Sequence, residues 1–213
     1  MNATTRIIAI RHGETDWNAD SRLQGHTDIA LNDLGRAQAA CLASALGHEG
    51  LTAVVASPLQ RAFETARALA GPLGLACQPE PGLRERGFGA MEGLSYQEID
   101  EHHPHWARRW RARDPEFAPP GGETLLEFQA RCLDTANRLA RQHAGTCVAW
   151  VTHGGVLDCL YRAAAGVDLS APRTWQLGNA AVNRLLFTGS GFTLIGWNDT
   201  QHLQVLARAL DDT

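Results

Sequence analysis

Arg6-Ile7-Ile8-Ala9-Ile10 runs straight into Arg11-His12-Gly13-Glu14-Thr15. The first five residues are a short, β-branched apolar run, which predicts a strand buried on both faces. A guanidinium, an imidazole and a glycine follow at once. A histidine at the end of a strand serves as a nucleophile, a base, a metal ligand or a hydrogen-bonded structural group. The glycine behind it lets another group approach the backbone. The planar fork of Arg11 matches phosphate or carboxylate bidentately.

The arrangement recurs further along the chain. Cys147-Val148-Ala149-Trp150-Val151 reads as a second buried strand and ends at Thr152-His153-Gly154-Gly155. Leu51–Ala56 reads as a third and ends at Ser57-Pro58, just ahead of Arg61. Helices are predicted between the strands. One is capped by Asn32 or Asp33 and runs to about Leu46. Another starts at Ser57-Pro58, a cap followed by proline in the first turn, and runs to about Ala70. A long one spans about Glu123 to His143, with Gly121-Gly122-Glu123 read as its start, and a fourth spans Val156 to Ala165. Residues 76–94 read as a strand edge leading into a loop, and 95–113 as one or two short helices broken at Pro104. Residues 182–187 and 192–197 bracket Gly189-Ser190-Gly191 and predict a hairpin. The polar stretch of about 20 residues after His12 is long for a simple connection, a length that usually goes with function. Strands alternating with helices imply an α/β fold with a mainly parallel sheet, whose ligands bind beyond the carboxyl ends of the strands. Three such ends carry polar residues to one edge.

Composition narrows the classes. At 213 residues, 44% hydrophobic and 20% charged, the chain is expected to be one globular domain with no linker or repeat. A net charge of -4 argues against a nucleic-acid partner. All 19 basic residues are arginine, so a basic catalytic group must be Arg or His, and a P-loop with its lysine is excluded. The five scattered cysteines form no C-x-x-C pair and suit a reducing compartment, buried as small apolar side chains. Ile7–Ile10 is too short for a signal peptide, and no stretch approaches the ~18 apolar residues of a membrane span. A cytoplasmic protein with no membrane partner is expected.

In its ordered motifs the chain resembles the histidine phosphatase superfamily, also called phosphoglycerate-mutase-like. The carrying residues are Arg11-His12-Gly13-Glu14-Thr15-x-Trp17-Asn18 and Arg22-Leu23-Gln24-Gly25, then Asp28, Leu31, Gly35 and Gln38. Ser57-Pro58-Leu59-x-Arg61-Ala62-x-x-Thr65-Ala66 follows, then Leu83-x-Glu85 with Gly87, Gly89 and Glu92-Gly93, then Gly121-Gly122-Glu123 and Thr152-His153-Gly154-Gly155. The matches cover roughly residues 6–200 in the family's order. The resemblance implies a three-layer αβα sandwich forming a single domain over 1–213, with a helical and loop cap at about 88–122. It also implies a small-molecule phosphate ester as substrate, with neither metal nor cofactor, and it admits a homodimer.

The resemblance further implies roles. His12 attacks phosphorus and becomes a phosphohistidine. Arg11 and Arg61 clamp the non-bridging oxygens, and His153 donates to them from the other side. Glu85 protonates the leaving oxygen and then serves as base for water; the structural alternative for Glu85 is an ion pair with Arg84 or Arg86. Asn18, Gln24, Gly25 and the Gly154 backbone contact the phosphoryl group or the substrate. Phosphoryl transfer spreads charge over three equatorial oxygens, so positioning and electrostatics dominate, and two arginines with a second histidine supply them. Nearby arginines also lower an imidazole's pKa and keep it nucleophilic, while a bound phosphate dianion would favour protonation of His153.

Hydrolysis is expected over the runner-up, a cofactor-dependent phosphoglycerate mutase. The mutases of the family usually carry Asn where this chain has Gly155, use a substrate-binding lysine that it lacks, and are longer beyond the acid; Arg86-Gly87-Phe88-Gly89 also resembles phosphatase members. A non-catalytic phosphate-binding module is the remaining alternative. His102-His103-x-His105 reads as a solvated helix rather than a metal site. Arg108-Arg109-x-Arg111-x-Arg113 reads as a solvated face, with the alternative that one of these arginines overhangs the pocket and selects acidic substrates.

Overall fold

The computed structural model describes residues 3–206. Six strands form one sheet: β1 (Thr5–Arg11), β2 (Leu51–Ala56), β3 (Cys77–Pro79), β4 (Cys147–Thr152), β5 (Val182–Phe187) and β6 (Phe192–Asp199). Their order is β3-β2-β4-β1-β5-β6. The β1–β4, β2–β4 and β2–β3 pairings are parallel, and the predicted hairpin β5–β6 adds antiparallel strands beyond β1. The mainly parallel α/β reading therefore holds.

Side-chain alternation on the central strands builds two cores. Ile7, Ala9, Val148 and Trp150 face one way and pack with α6 (Leu125–Gln142) and α7 (Gly154–Ala165), burying Phe128, Cys132, Leu157 and Leu160. Ile8, Ile10, Ala149 and Val151 face the other way, against α2 (Asp33–Leu46) and α3 (Gln60–Ala70). Both faces of each strand are thus covered, which is why the strands read as continuous apolar runs rather than alternating ones. The segment 88–122 carries α4 (Tyr96–His102) and α5 (Pro104–Arg111), divided at Pro104 as predicted, around a small cluster of Phe88, Met91, Ile99, Ala107 and Phe117. Among the described residues no helix is long and apolar enough to cross a membrane.

Several helix starts differ from the sequence reading. Ser57-Pro58 does not begin α3; the helix starts at Gln60, with Leu59 at its cap and no side-chain cap bond. Ser57 Oγ is instead taken by His153 Nε2 at 2.8 Å, and it accepts the Leu59 N–H. Likewise α6 starts at Leu125. Thr124 caps it in a reciprocal pair with Glu127, while Glu123 stands outside and receives Arg131 and the Gly87 N–H. Gly121-Gly122 is a turn pressed against Gly87 and Gly89. The helix after His153 begins two residues early, at Gly154, with His153 itself at the cap. The polar stretch after His12 contains a one-turn helix, α1 (Asp16–Ala19), capped by Thr15 and Asn18. All five cysteines are free; Cys132, Cys147 and Cys159 are buried, whereas Cys41 and Cys77 are half-buried.

Register places the histidines. Arg11 pairs with Thr152 across β1–β4, so the next residue on each of these neighbouring strands is a histidine leaving the same edge of the sheet. The first turn of α2 then presses on the chain just after His12. A Cβ on Gly35 would strike the Glu14 backbone, and one on Gly13 would strike the Gly35 backbone. Ala is a better helix former than Gly by about 1 kcal/mol, but overpacking against backbone costs about 1–3 kcal/mol. Gly35→Ala is therefore expected to destabilise the protein, measurable as a lower urea midpoint, despite its gain in helix propensity; an unchanged or higher midpoint would contradict the close approach.

Candidate active site

A cavity of about 940 Å³ opens beyond the carboxyl ends of β1, β2 and β4. Every residue given a catalytic or substrate-binding role from the sequence lines it except His153, which is completely buried. His12 is 3% exposed, and its ring lies 5.1 Å from that of His153. The His12 backbone is held by Thr152, Ala180 and the Asn179 side-chain amide. Gly13 N–H donates to Thr65 Oγ1 at 3.0 Å, which ties the histidine loop to α3.

The His12 tautomer follows from its partner. His12 Nδ1 lies 2.7 Å from the Gly13 carbonyl, which can only accept, so Nδ1 carries the proton and Nε2 keeps its lone pair. Burial, and then the charges of Arg61 and Arg11, hold His12 well below the ordinary imidazole value of 6.5. Burial, Arg61, His12 and Arg11 do the same to His153. His153 Nε2 and Ser57 Oγ share a hydrogen bond in which the tautomer of the ring decides the donor. His153 Nδ1 is buried and has no protein partner among the described residues.

The two guanidinium groups are fixed by carbonyls rather than carboxylates. Arg61, 1% exposed, donates from Nη1 to Thr27 O at 3.0 Å and from Nη2 to Gly25 O at 2.9 Å. Burial lowers its pKa to about 10, leaving it charged at neutral pH. Glu92 fastens the loop that supplies those carbonyls: its carboxylate accepts the N–H groups of His26, Thr27 and Phe88 and the Thr27 hydroxyl. Gly25 has φ +54° and sits where a Cβ would strike that carboxylate, so only glycine fits. Gly25, named from the sequence as a substrate contact, thus spends its carbonyl on Arg61. Arg11 donates from Nη1 to the Leu177 carbonyl. The Nε atoms of Arg11 and Arg61 are buried without a protein acceptor among the described residues.

Glu85 does not form the ion pair with Arg84 or Arg86. Its oxygens accept the Arg86 N–H at 2.9 Å and the Gly155 N–H at 3.1 Å, which fixes the carboxyl at the cavity wall beside the start of α7. A Cβ on Gly155 would strike Glu85, so glycine there lets the carboxyl approach. Asn18 Oδ1 is used by Thr15 and Asn179, so what it has left to offer is its amide N–H. Gln24 Oε1 is buried and unpartnered among the described residues.

The arginine-rich stretch divides. Arg108 is exposed and lines a separate shallow depression. Arg109, Arg111 and Arg113 do reach the cavity, but each meets a carboxylate: Asp114 at 2.6 Å, Asp100, and Asp158 at 2.7 Å. Arg22 pairs with Glu98, and Arg86 donates to the carbonyls of Glu123 and Phe117. His103 stacks on Trp106, and no cluster of metal-ligating side chains occurs among the described residues. Sequence reasoning missed the Leu177 carbonyl, Asn179, Tyr96 and Arg173. The first acts through its backbone, and the others lie in stretches with no motif.

Residues 7–200 match the sequence pattern of the histidine phosphatase superfamily (branch 1). The chain is 39% identical over 202 residues to phosphoglycerate mutase-like protein 4 of Arabidopsis thaliana, covering 93% of this chain and 86% of that protein. It is 35% identical to a metal-independent phosphoserine phosphatase of the same plant, over 93% and 83%. Among solved structures it resembles YhfR of Bacillus stearothermophilus, with TM-score 0.87 and 31% identity over 93% of this chain and 99% of that one. It also resembles a mycobacterial glucosyl-3-phosphoglycerate phosphatase bound to VO3, with TM-score 0.81 and 32% identity over 92% and 99%.

The buried imidazoles carry a stability cost with a definite sign. With both folded pKa values depressed, the unfolded chain binds more protons below about pH 6.5, and stability falls as the pH is lowered, by up to about 1.4 kcal/mol per unit for each histidine. Urea midpoints taken between pH 7.5 and 5.5 should therefore drop, and drop less steeply in His12→Asn and His153→Asn. Equal slopes in all three proteins would show that these histidines are not held neutral.

Proposed function

For this chain, which belongs to the histidine phosphatase superfamily, we propose hydrolysis of a small phosphorylated metabolite through a phosphohistidine on His12. The observation that carries the reading is the fixed tautomer of His12: Nδ1 donates its N–H to the Gly13 carbonyl, which leaves the Nε2 lone pair free in a cavity that Arg11 and Arg61 also line. In the first step Nε2 bonds to phosphorus as the ester P–O bond breaks, and Glu85 delivers a proton to the departing oxygen. In the second step Glu85 takes a proton from water, the water oxygen bonds to phosphorus, and the P–N bond breaks. Inorganic phosphate and the original imidazole result.

Charge stabilisation rests on Arg11, Arg61 and His153. Buried N–H groups with no protein acceptor suit the equatorial oxygens, where a donor fixed in advance is worth most. Asn18 would add its amide N–H and Gly154 the positive end of α7. This donor set supports charge neutralisation by the protein's own groups, in keeping with the metal-independent relative. Two relatives whose names mention mutase and phosphatase respectively match the chain at similar identity. A mutase would share the first step and return the phosphoryl group to a second hydroxyl. Gly155 and the absence of lysine favour water as the acceptor.

Turnover of p-nitrophenyl phosphate tests the reading directly. His12→Ala should abolish it, and Glu85→Gln should slow it at least about 10²-fold, the usual contribution of a proton donor. Activity should persist in a chelator. Undiminished turnover in His12→Ala would end the proposal, and phosphoglycerate mutase activity exceeding hydrolysis would reassign the second step.

Vanadate should inhibit as a five-coordinate transition-state mimic, as the VO3-bound phosphatase relative suggests. The acid limb of kcat/KM should lie below pH 6.5. In Arg61→Gln it should move up, because removing a nearby positive charge raises the His12 pKa. A limb that stays at the same pH in the variant would contradict the electrostatic account of the nucleophile.

A further inference from the structure

Eight guanidinium groups line the cavity, and seven of them are accounted for. Arg11 and Arg61 face the phosphoryl position, and Arg22, Arg86, Arg109, Arg111 and Arg113 are bonded to carboxylates or carbonyls. Arg173 is the exception. It is exposed at the mouth, and it has neither an ion pair nor a side-chain hydrogen bond among the described residues. Its charge is felt at both Arg11 and Tyr96, so it stands close to the phosphoryl clamp rather than out on the surface.

The loop that carries it is tethered. Trp175 stacks on Tyr161 at 3.9 Å, with the Arg162 guanidinium 4.8 Å from its ring. The Gln176 carbonyl accepts from Trp197 Nε1 at 3.0 Å, and Gly178 N–H donates to Asn198 Oδ1 at 2.7 Å. The same loop supplies the Leu177 carbonyl to Arg11. A cation at the edge of an already positive site, on a fixed loop and without a counter-ion, is electrostatically unfavourable until an anion arrives. Tyr96, from the first turn of α4, lines the mouth as well and brings a phenolic O–H.

We propose that Arg173, with the Tyr96 hydroxyl, reads a second anionic group on the alcohol part of the substrate, so that the enzyme selects phosphomonoesters carrying a carboxylate or a further phosphate. This rests on the hydrolase reading of the same cavity. It also moves the selection of acidic substrates from the 108–113 stretch, whose cavity-facing arginines are paired, to a residue outside it.

The test compares matched esters. 3-Phosphoglycerate and glycerol 3-phosphate differ only by a carboxylate in place of a hydroxymethyl group; fructose 1,6-bisphosphate and fructose 6-phosphate differ by a phosphate. Wild type should prefer the more anionic member of at least one pair, and the pair that shows it identifies the group. In Arg173→Gln that kcat/KM ratio should fall about tenfold, the value of one charge-assisted hydrogen bond. The loss should appear in KM, because the contact forms with the bound ester as well as in the transition state. Arg173→Lys should recover part of it. A ratio within twofold of wild type in Arg173→Gln, or equal losses on all four esters, would overturn the assignment. Calorimetric binding of the same esters to His12→Ala, with and without Arg173→Gln, keeps the two readings apart. A binding preference that depends on Arg173 in the His12→Ala background, together with a wild type that hydrolyses none of the esters, would reject hydrolysis and leave Arg173 its role.

Discussion

The Arg61 guanidinium, buried and gripped by the carbonyls of Thr27 and Gly25, sets the terms for the rest of the site. Its direct hydrogen-bond partners are carbonyls, so no carboxylate is bonded to it, although Glu85, Asp28 and Glu92 are near enough to favour its charge. Burial first, and that charge next, depress both His12 and His153. A neutral His12 with its proton fixed on Nδ1 presents a lone pair at Nε2. His153, held low by the same charges, keeps Nε2 on Ser57 and has Nδ1 buried without a protein partner among the described residues.

Holding a bare cation in that place takes structure from distant parts of the chain. Glu92 clamps the 26–27 backbone, Gly25 makes room for Glu92, and the first turn of α3 delivers Arg61 beside the end of β2. The parallel β1–β4 register then brings the two histidines to the same edge, one residue past a paired position on each strand. These are rigid elements, so the donors are aimed before any substrate arrives. Such preorganisation is where electrostatic catalysis gets most of its effect.

Much of this was legible in the sequence, for physical reasons that differ residue by residue. β1 and β4 announced themselves because strands covered on both faces have no polar alternation to disguise them. His12, His153 and Arg61 stood out as polar residues placed directly after or near such strands, and Glu85 through the ordered motif around it. Ser57 was misread because serine before proline is a good helix start in general. Its hydroxyl instead serves His153, 96 positions away, and local sequence has no term for such a contact. The Leu177 carbonyl that holds Arg11 left no trace, since every residue has a carbonyl. The 108–113 arginines show the converse failure: composition announced a basic cluster, while the carboxylates that pair with it come from Asp114 directly behind it and from Asp100 and Asp158 outside the stretch.

The contrast between those arginines and Arg173 bears on how such a cavity discriminates. A charge already paired at its wall contributes shape and a balanced field, and a substrate would have to displace the existing carboxylate to use it. The exchange of one ion pair for another is close to neutral, so these arginines confer little selectivity despite their number. An unpaired arginine on a tethered loop has no such competitor, and an incoming anion displaces only water from it. On the proposal made for Arg173, selectivity in a cavity this rich in guanidinium groups follows from which cation lacks a partner among the described residues, a property of the fold that neither charge count nor proximity in sequence reveals.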